Sequence, residues 1–221
     1  MNRWEYDIIV VGAGMIGLSI AFRLKQNAPD LTIAVLGDPM NSLMASRAAA
    51  GMLAPFSECD QNDHFLQFCR ESLDKYPQFL KEVMFISGLE VYFSDAGAIM
   101  PYCLIGNKWQ ERLEFFKEIG AAHEEWSVSE AHKKLPYLSN SSGKVIWIKE
   151  GLVNCRQLHD ALATAASKLG VEILNHNVTG FMRHFGTISE AVTDAGLLKG
   201  KRFVLAGGSW SNQLGMILGV C

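Results

Sequence analysis

The sequence holds no apolar run long enough to span a bilayer, no excess of positive charge, no Cys-x-x-Cys pair and no internal repeat. Each absence removes a class of protein. A membrane helix needs about 20 consecutive apolar residues. The apolar stretch near the N-terminus follows Glu5 and Asp7 and is interrupted by glycines, so neither a membrane span nor a signal peptide is expected. The 20 Lys and Arg are outnumbered by 23 Asp and Glu, and the net charge of −3 gives no footprint for nucleic acid or an anionic membrane. The densest basic cluster, Lys199, Lys201 and Arg202, reads as a solvated turn. Five widely spaced cysteines (Cys59, Cys69, Cys103, Cys155, Cys221), an odd count, read as reduced and mostly buried thiols of a cytoplasmic protein. The six histidines lack ligand-like spacing with acids or cysteines, so no metal is expected. What remains is an ordinary globular composition, 49% apolar and 19% charged, in 221 residues, enough for one large domain or two small ones.

The informative stretch is Tyr6 to Gly17. The apolar run Ile8–Val11 leads straight into Gly12, Gly14 and Gly17, and the residues after it, Leu18 to Leu24, are apolar at helical spacing. This is strand, tight turn and helix with G-x-G-x-x-G on the turn. Gly12 permits the turn, Gly14 lets a pyrophosphate approach the backbone, and Gly17 lets the helix pack close to the strand. The first helical N–H groups and the helix dipole then favour a phosphate.

A second strand is expected over Leu31–Leu36, parallel to the first. A dinucleotide site has an acidic residue at the end of this strand for the adenosine ribose. Here Gly37 stands in that place and Asp38 follows, either serving one residue late or forming a simple turn with Pro39. The run Ala45 to Pro55 is rich in small residues. They either let a flat ring press against the backbone or form a short Ala-rich helix on a core, which composition alone favours.

Residues 62–86 carry a helical apolar pattern with Pro77 inside it, as two consecutive helices or one bent near Tyr76. Leu89–Phe93 and Ala98–Cys103 read as a β-hairpin around Asp95-Ala96-Gly97. A helix with Trp109, Leu113, Phe116 and Ile119 on one face stops at Gly120. Ser127 and Glu130 have capping-box spacing, and Lys144–Lys149 reads as a strand. Asn154 and Gln157 again have capping spacing before a helix whose stripe is Leu158, Ala161, Leu162, Ala165 and Leu169. Strands follow at Val171–Leu174, at an antiparallel pair Val178–Arg183 and Thr187–Val192, and at Arg202–Ala206, which enters Gly207-Gly208. Strands alternating with helices predict an α/β fold with a doubly wound parallel sheet, interrupted over 88–149 by a mixed insertion.

Four segments in order carry a family likeness: Asp7 to Leu18, Ser46-Arg-Ala-Ala-Ala-Gly-Met-Leu-Ala-Pro55, Gly151-Leu-Val-Asn154, and Val204-Leu-Ala-Gly-Gly-Ser-Trp-Ser211. Together they resemble the D-amino-acid-oxidase-like flavoenzymes, and among these the glycine oxidases of thiamine biosynthesis. The first and last segments are shared by many FAD enzymes; the Ala-Ala-Ala-Gly-Met-Leu run is the more specific. The resemblance implies a Rossmann-like FAD-binding domain in two parts, 1–87 and 150–221, around an incomplete α+β substrate domain at 88–149.

It also implies FAD in an extended pose. Backbone at Gly14, Met15 and Ile16 meets the pyrophosphate, with Gly12 and Gly17 shaping the turn. Gly37 or Asp38 lies at the ribose, and Ala45, Ser46 and Arg47 at the phosphate and ribityl region. Ala50, Gly51 and Met52 lie along the isoalloxazine, Val178 by its backbone at the adenine, and Gly207-Gly208 closes the site. Arg47 either neutralises pyrophosphate charge or is an exposed loop arginine. Met52 either faces the substrate side of the flavin or is a core methionine. His64, Tyr92 and Tyr102 read as structural, and no catalytic residue is identified.

The implied reaction moves a hydride from the α-carbon of a small, glycine-like amino acid or amine to the flavin. Oxygen reoxidises the flavin, giving hydrogen peroxide and an imine that hydrolyses to ammonia; the cofactor carries the redox chemistry. Three departures stand out: Gly37 in place of the acid, Cys155 where the family has proline at the first helical position, and an end at Cys221 where family members continue. The expectation is therefore the N-terminal part of an oxidase, as a homo-oligomer or with a partner chain completing the fold. Two alternatives remain: an NAD(P)-dependent dehydrogenase, which Gly12–Gly17 alone allows, and a truncated or split flavin-binding module inactive by itself.

Overall fold

The N-terminal apolar run is a buried strand, β1 (Glu5–Val11), in a computed structural model that describes residues 5–41, 44–139 and 142–219. After it come α1 (Met15–Asn27), β2 (Ile33–Leu36), α2 (Ala45–Ala48), β3 (Met52–Leu53), α3 (Pro55–Glu58), α4 (His64–Ser87), β4 (Phe93–Ser94), β5 (Ala98–Pro101), α5 (Tyr102–Ile105), α6 (Trp109–Glu118) and β6 (His123–Trp126). The chain continues with α7 (Val128–Lys134), β7 (Val145–Ile148), β8 (Gly151–Val153), α8 (Cys155–Lys168), β9 (Glu172–Leu174), β10 (Val178–His184), β11 (Thr187–Thr193), β12 (Gly196–Leu205) and α9 (Ser211–Leu218). It forms two compact units. The first comprises Met1–Ala50, Lys81–Val91 and Cys155–Cys221; the second comprises Gly51–Leu80 and Tyr92–Asn154. Residues 51–80, grouped from the sequence with the first part of the chain, thus pack with the second unit.

The first unit is a Rossmann-like α/β layer. Its sheet runs β10-β11-β12-β1-β2-β9, parallel over β12-β1-β2-β9 and antiparallel over β10-β11-β12. Strands covered on both faces read as continuous apolar runs, and Ile8 to Val11 and Ile33 to Leu36 are all buried. Val10 faces α1, against Gly17. Ile9 and Val11 face the opposite way, into a core with Ala34, Leu36, Ala191 and Leu198. Helix α8 lies beside α1, and Leu18, Phe22, Leu158 and Leu162 are fully buried. Burying each such side chain stabilises by roughly 1.5–3 kcal/mol. Strand β12 begins at Gly196, well before the expected Arg202. Lys199 and Lys201 are therefore strand residues rather than a turn, and they pair with Glu190 and Asp7.

The second unit holds two antiparallel three-stranded sheets, β3-β8-β4 and β5-β7-β6. Phe56, Trp109, Phe116, Ile146 and Ile148 belong to one of its cores; Trp126, Ala131 and Val145 form another. One expectation fails here. The hairpin around Asp95–Gly97 does not exist: β4 pairs with β8, while β5 pairs with β7. At Gly97, with φ +93°, the chain lies against the Trp147 indole, whose Nε1–H donates to Ala96 O at 2.8 Å. Of the two readings at Pro77 the structure has the single helix: α4 runs continuously over 24 residues. The capping box forms as expected, with Ser127 Oγ accepting from Glu130 N and the Glu130 carboxylate accepting from Ser127 N. Glu150 is buried with its carboxylate accepting from Phe56 N, Ser57 N and Ser57 Oγ, all at 2.6–2.7 Å. It fills the unpaired donors at the start of α3.

Candidate functional site

A cleft of about 670 Å³ opens at the carboxyl ends of the parallel strands β1, β2 and β12. That edge is where open α/β sheets bind ligands. Three glycines shape it in different ways. Gly12 has φ +119°, and a Cβ there would stand 2.2 Å from Ala206 O, so this turn packs on the end of β12. A Cβ at Gly17 would stand 1.9 Å from Gly12 O, which is close helix–strand packing. Gly14, at φ −76°, is different: a Cβ there would meet only Ser46 Oγ, at 3.2 Å, and Met44 Sδ, at 4.0 Å. Gly12 and Gly17 serve the fold, and Gly14 keeps the cleft wall bare.

Gly14 caps α1 with no side chain. Ser46, on α2, supplies the missing cap: its Oγ accepts from Met15 N at 3.0 Å. The Met15 N–H, expected to meet a phosphate directly, is thus shared with a hydroxyl that can itself donate into the cleft. Gly37, with φ +140°, has a physical reason to replace an acid. A Cβ there would lie 3.1 Å from Ala13 N and 3.3 Å from Ala13 Cβ, so a side chain would push the glycine loop away. Asp38 lines the cleft instead, with Oδ1 accepting from Met40 N at 2.8 Å.

Gly12, Gly14, Met15, Ile16, Gly37, Asp38, Ala45, Ser46, Val178, Gly207 and Gly208 come together along this one cleft. Gly17 lies beneath it, buried. Arg47 turns away from the cleft: its guanidinium pairs with Asp160 and reaches His159 Nδ1 at 3.3 Å, both on α8. It is not an exposed loop arginine: its side chain is largely buried against α8. Ala50 ends the first stretch of the first unit, while Gly51 and Met52 belong to the second. Met52 is 60% exposed and pairs across β3–β8 with Leu152, so it is not a core methionine. Within the second unit Tyr92 and Tyr102 are exposed.

Sequence reasoning missed part of the wall. His176, Asn177, Trp210 and Gln213 also line the cleft, the last on the unforeseen α9. His159 was missed as well; its signal was a histidine adjoining the apolar stripe of α8. Among the described residues no Lys or Arg lines the cleft. A bound phosphate would meet backbone N–H groups, Ser46 and the positive end of the 13-residue α1. Among the described residues, too, no cluster of His, Cys, Asp or Glu could hold a metal ion. Burial pushes the Cys155 thiol up, away from nucleophilic thiolate character. Cys59 is raised also, by burial first and then by neighbouring Cys69. Cys221 lies outside the described residues.

Known proteins resemble this chain in sequence and fold. The bifunctional protein ThiO/ThiG of Trichormus variabilis is 29% identical over 212 residues, covering 94% of this chain and 32% of the relative. The glycine oxidase of Bacillus licheniformis is 27% identical over 215 residues, covering 96% of this chain and 56% of the enzyme. The crystal structure of glycine oxidase from Geobacillus kaustophilus superposes with a TM-score of 0.91 at 24% identity, over 99% of this chain and 60% of that one. The chain thus spans about a third to three-fifths of the length of these relatives. The sheet edge, the bare Gly14 wall and the Ser46 cap all lie within residues 7–220, which match the DAO family of FAD dependent oxidoreductases, and the chain belongs to that family.

Proposed function

We propose that the first unit binds FAD and serves the oxidation of a small, glycine-like amino acid or amine. The observation that carries this reading is the cleft itself: a bare glycine turn at the head of α1, capped from the side by Ser46, at the carboxyl edge of a parallel sheet. The residues fit the group. Gly14, Met15, Ile16 and Ser46 hold the pyrophosphate, Asp38 the ribose, and the Val178 backbone the adenine, with Gly207 and Gly208 closing the end. Bound there, FAD would supply the redox chemistry, a two-electron oxidation of the substrate at its α-carbon with oxygen as final acceptor. The products would be hydrogen peroxide and an imine, which water hydrolyses to ammonia and the corresponding oxo compound.

The protein's part in the first unit is to orient the cofactor and neutralise its phosphates through N–H dipoles rather than cations. The relatives named glycine oxidase support glycine as substrate class, and the family resemblance supports a place in thiamine biosynthesis. No helix among the described residues is long and apolar enough to cross a membrane; a cytoplasmic location is part of this proposal. The substrate role of the second unit, first bounded at 88–149, is proposed for residues 51–80 and 92–154.

A peroxide-coupled assay with glycine tests the reaction: peroxide and ammonia in equal amounts support it, and a flavin-loaded chain that makes neither refutes it. A second reading, a flavin-binding module acting with a partner chain, is supported by the exposed aromatic side chains Phe65 and Phe68 of α4. It predicts bound flavin, no turnover and self-association on light scattering. A monomer that oxidises glycine contradicts it.

A further inference from the structure

His159 is fully buried on α8, and both its ring nitrogens are bonded. Its helix neighbours Leu158, Ala161, Leu162 and Ala165 are buried apolar residues, and a leucine at 159 would suit the same surroundings. A buried imidazole is costly unless its polar atoms find partners. Nε2 lies 2.9 Å from Ala13 O, and a carbonyl only accepts, so Nε2 carries the proton. Nδ1 lies 3.3 Å from Arg47 Nη1, which only donates, so Nδ1 accepts. The network thus assigns a neutral ring of one tautomer.

Both partners belong to the walls of the cofactor cleft. The peptide joining Ala13 to Gly14 is trans, so its C=O and N–H point in opposite directions. Holding Ala13 O to His159 aims the Gly14 N–H away from α8, and among the described residues that N–H has no protein acceptor. Ala13 and Gly14 line the cleft, while no residue of α8 does. At the other end Arg47 sits on α2, pairs with Asp160, and has its carbonyl held by Arg156 Nε at 3.2 Å. The residue before it, Ser46, holds the Met15 N–H. One helix therefore fixes both the glycine loop and the serine that caps α1 beside it.

We propose that His159 is a positioning residue for the FAD pyrophosphate: it sets the Ala13–Gly14 peptide so that Gly14 N–H faces the phosphate, and through Arg47 it ties that loop to Ser46. This rests on the reading of the cleft as an FAD site. The test compares the full 221-residue chain with His159→Leu, His159→Gln and Leu162→Ala. Two readouts are taken: amide hydrogen exchange of ligand-free protein, and FAD titration followed by flavin fluorescence.

Leucine fills the space but leaves Ala13 O without its donor. Glutamine can present an amide N–H where Nε2 stood. Leu162→Ala empties a fully buried site on the same helix and so reports general destabilisation. In His159→Leu the amides of 12–16 should exchange about tenfold faster and the Kd for FAD should rise about tenfold. His159→Gln should recover most of both. Leu162→Ala should lower the Tm while the Kd stays within about twofold. Unchanged loop exchange and Kd in His159→Leu would overturn the proposal, as would an equal loss of FAD affinity in Leu162→Ala. A wild-type chain that takes up no FAD refutes the cofactor reading, and loop exchange then still decides whether His159 orders the loop.

Discussion

At the scale of single residues, the three glycines of the first turn separate into two kinds. Gly17→Ala sets a methyl 1.9 Å from Gly12 O, and neither backbone can retreat. It should cost about 3 kcal/mol of stability in urea unfolding. Gly14→Ala meets only side-chain atoms, the Ser46 hydroxyl at 3.2 Å and Met44 Sδ at 4.0 Å, with a φ that alanine adopts freely. It should cost about 1 kcal/mol or less, yet weaken FAD binding tenfold or more by setting a methyl on the phosphate wall. Equal losses of stability in the two variants would contradict this division.

Tyr6 offers a pH-dependent test away from the cleft. It is 4% exposed and its hydroxyl donates to Glu172 at 2.8 Å. Burial first, then the Glu172 bond and charge, push its pKa up to about 12, from about 10 in an unfolded chain. The folded state keeps the proton more tightly, so this stabilisation is complete below pH 10 and is lost as pH rises to about 12. At about 1.4 kcal/mol per pH unit, the advantage of wild type over Tyr6→Phe in unfolding free energy from urea titrations should shrink by roughly 2–3 kcal/mol across that window. A constant gap would show that Tyr6 titrates normally.

At the scale of elements, Pro77 makes the sharpest case. It is exposed in the middle of α4, cannot donate to the carbonyl of Leu73, and crowds that turn. Flanking contacts carry the helix through, with Leu80 and Val83 buried just beyond it. Pro77→Ala should stabilise by about 1–3 kcal/mol, read as a raised thermal midpoint; a lowered one would mean that the proline shapes the packing. This is also where sequence reasoning reached its limit. Strand β1, α1 and the Ser127 capping box were legible because each depends on neighbours within a few residues. The hairpin at Asp95–Gly97 was misread because local turn residues cannot report that β4 and β5 join different sheets. The cleft's glycines were legible as a spacing, whereas the roles of Ser46 and His159 depend on partners 31 and 146 residues away in sequence.

At the scale of the whole molecule, the first unit gathers four segments distant in sequence, the Gly12–Ile16 turn, Gly37 and Asp38 with Ala45 and Ser46, the Val178 edge and the Gly207–Gly208 edge, around one cleft that no Lys or Arg lines among the described residues. Such a wall suits a dinucleotide held by N–H groups and a helix dipole better than one held by cations. The long connection after β2, with its Ala-Ala-Ala-Gly run, favours FAD over a nicotinamide dinucleotide. The most direct test is a competitive titration of the purified apoprotein with FAD and NADH, followed by flavin fluorescence and by calorimetry. The account predicts one FAD per chain, bound in preference to NADH. No FAD uptake, or tighter binding of NADH, would contradict it.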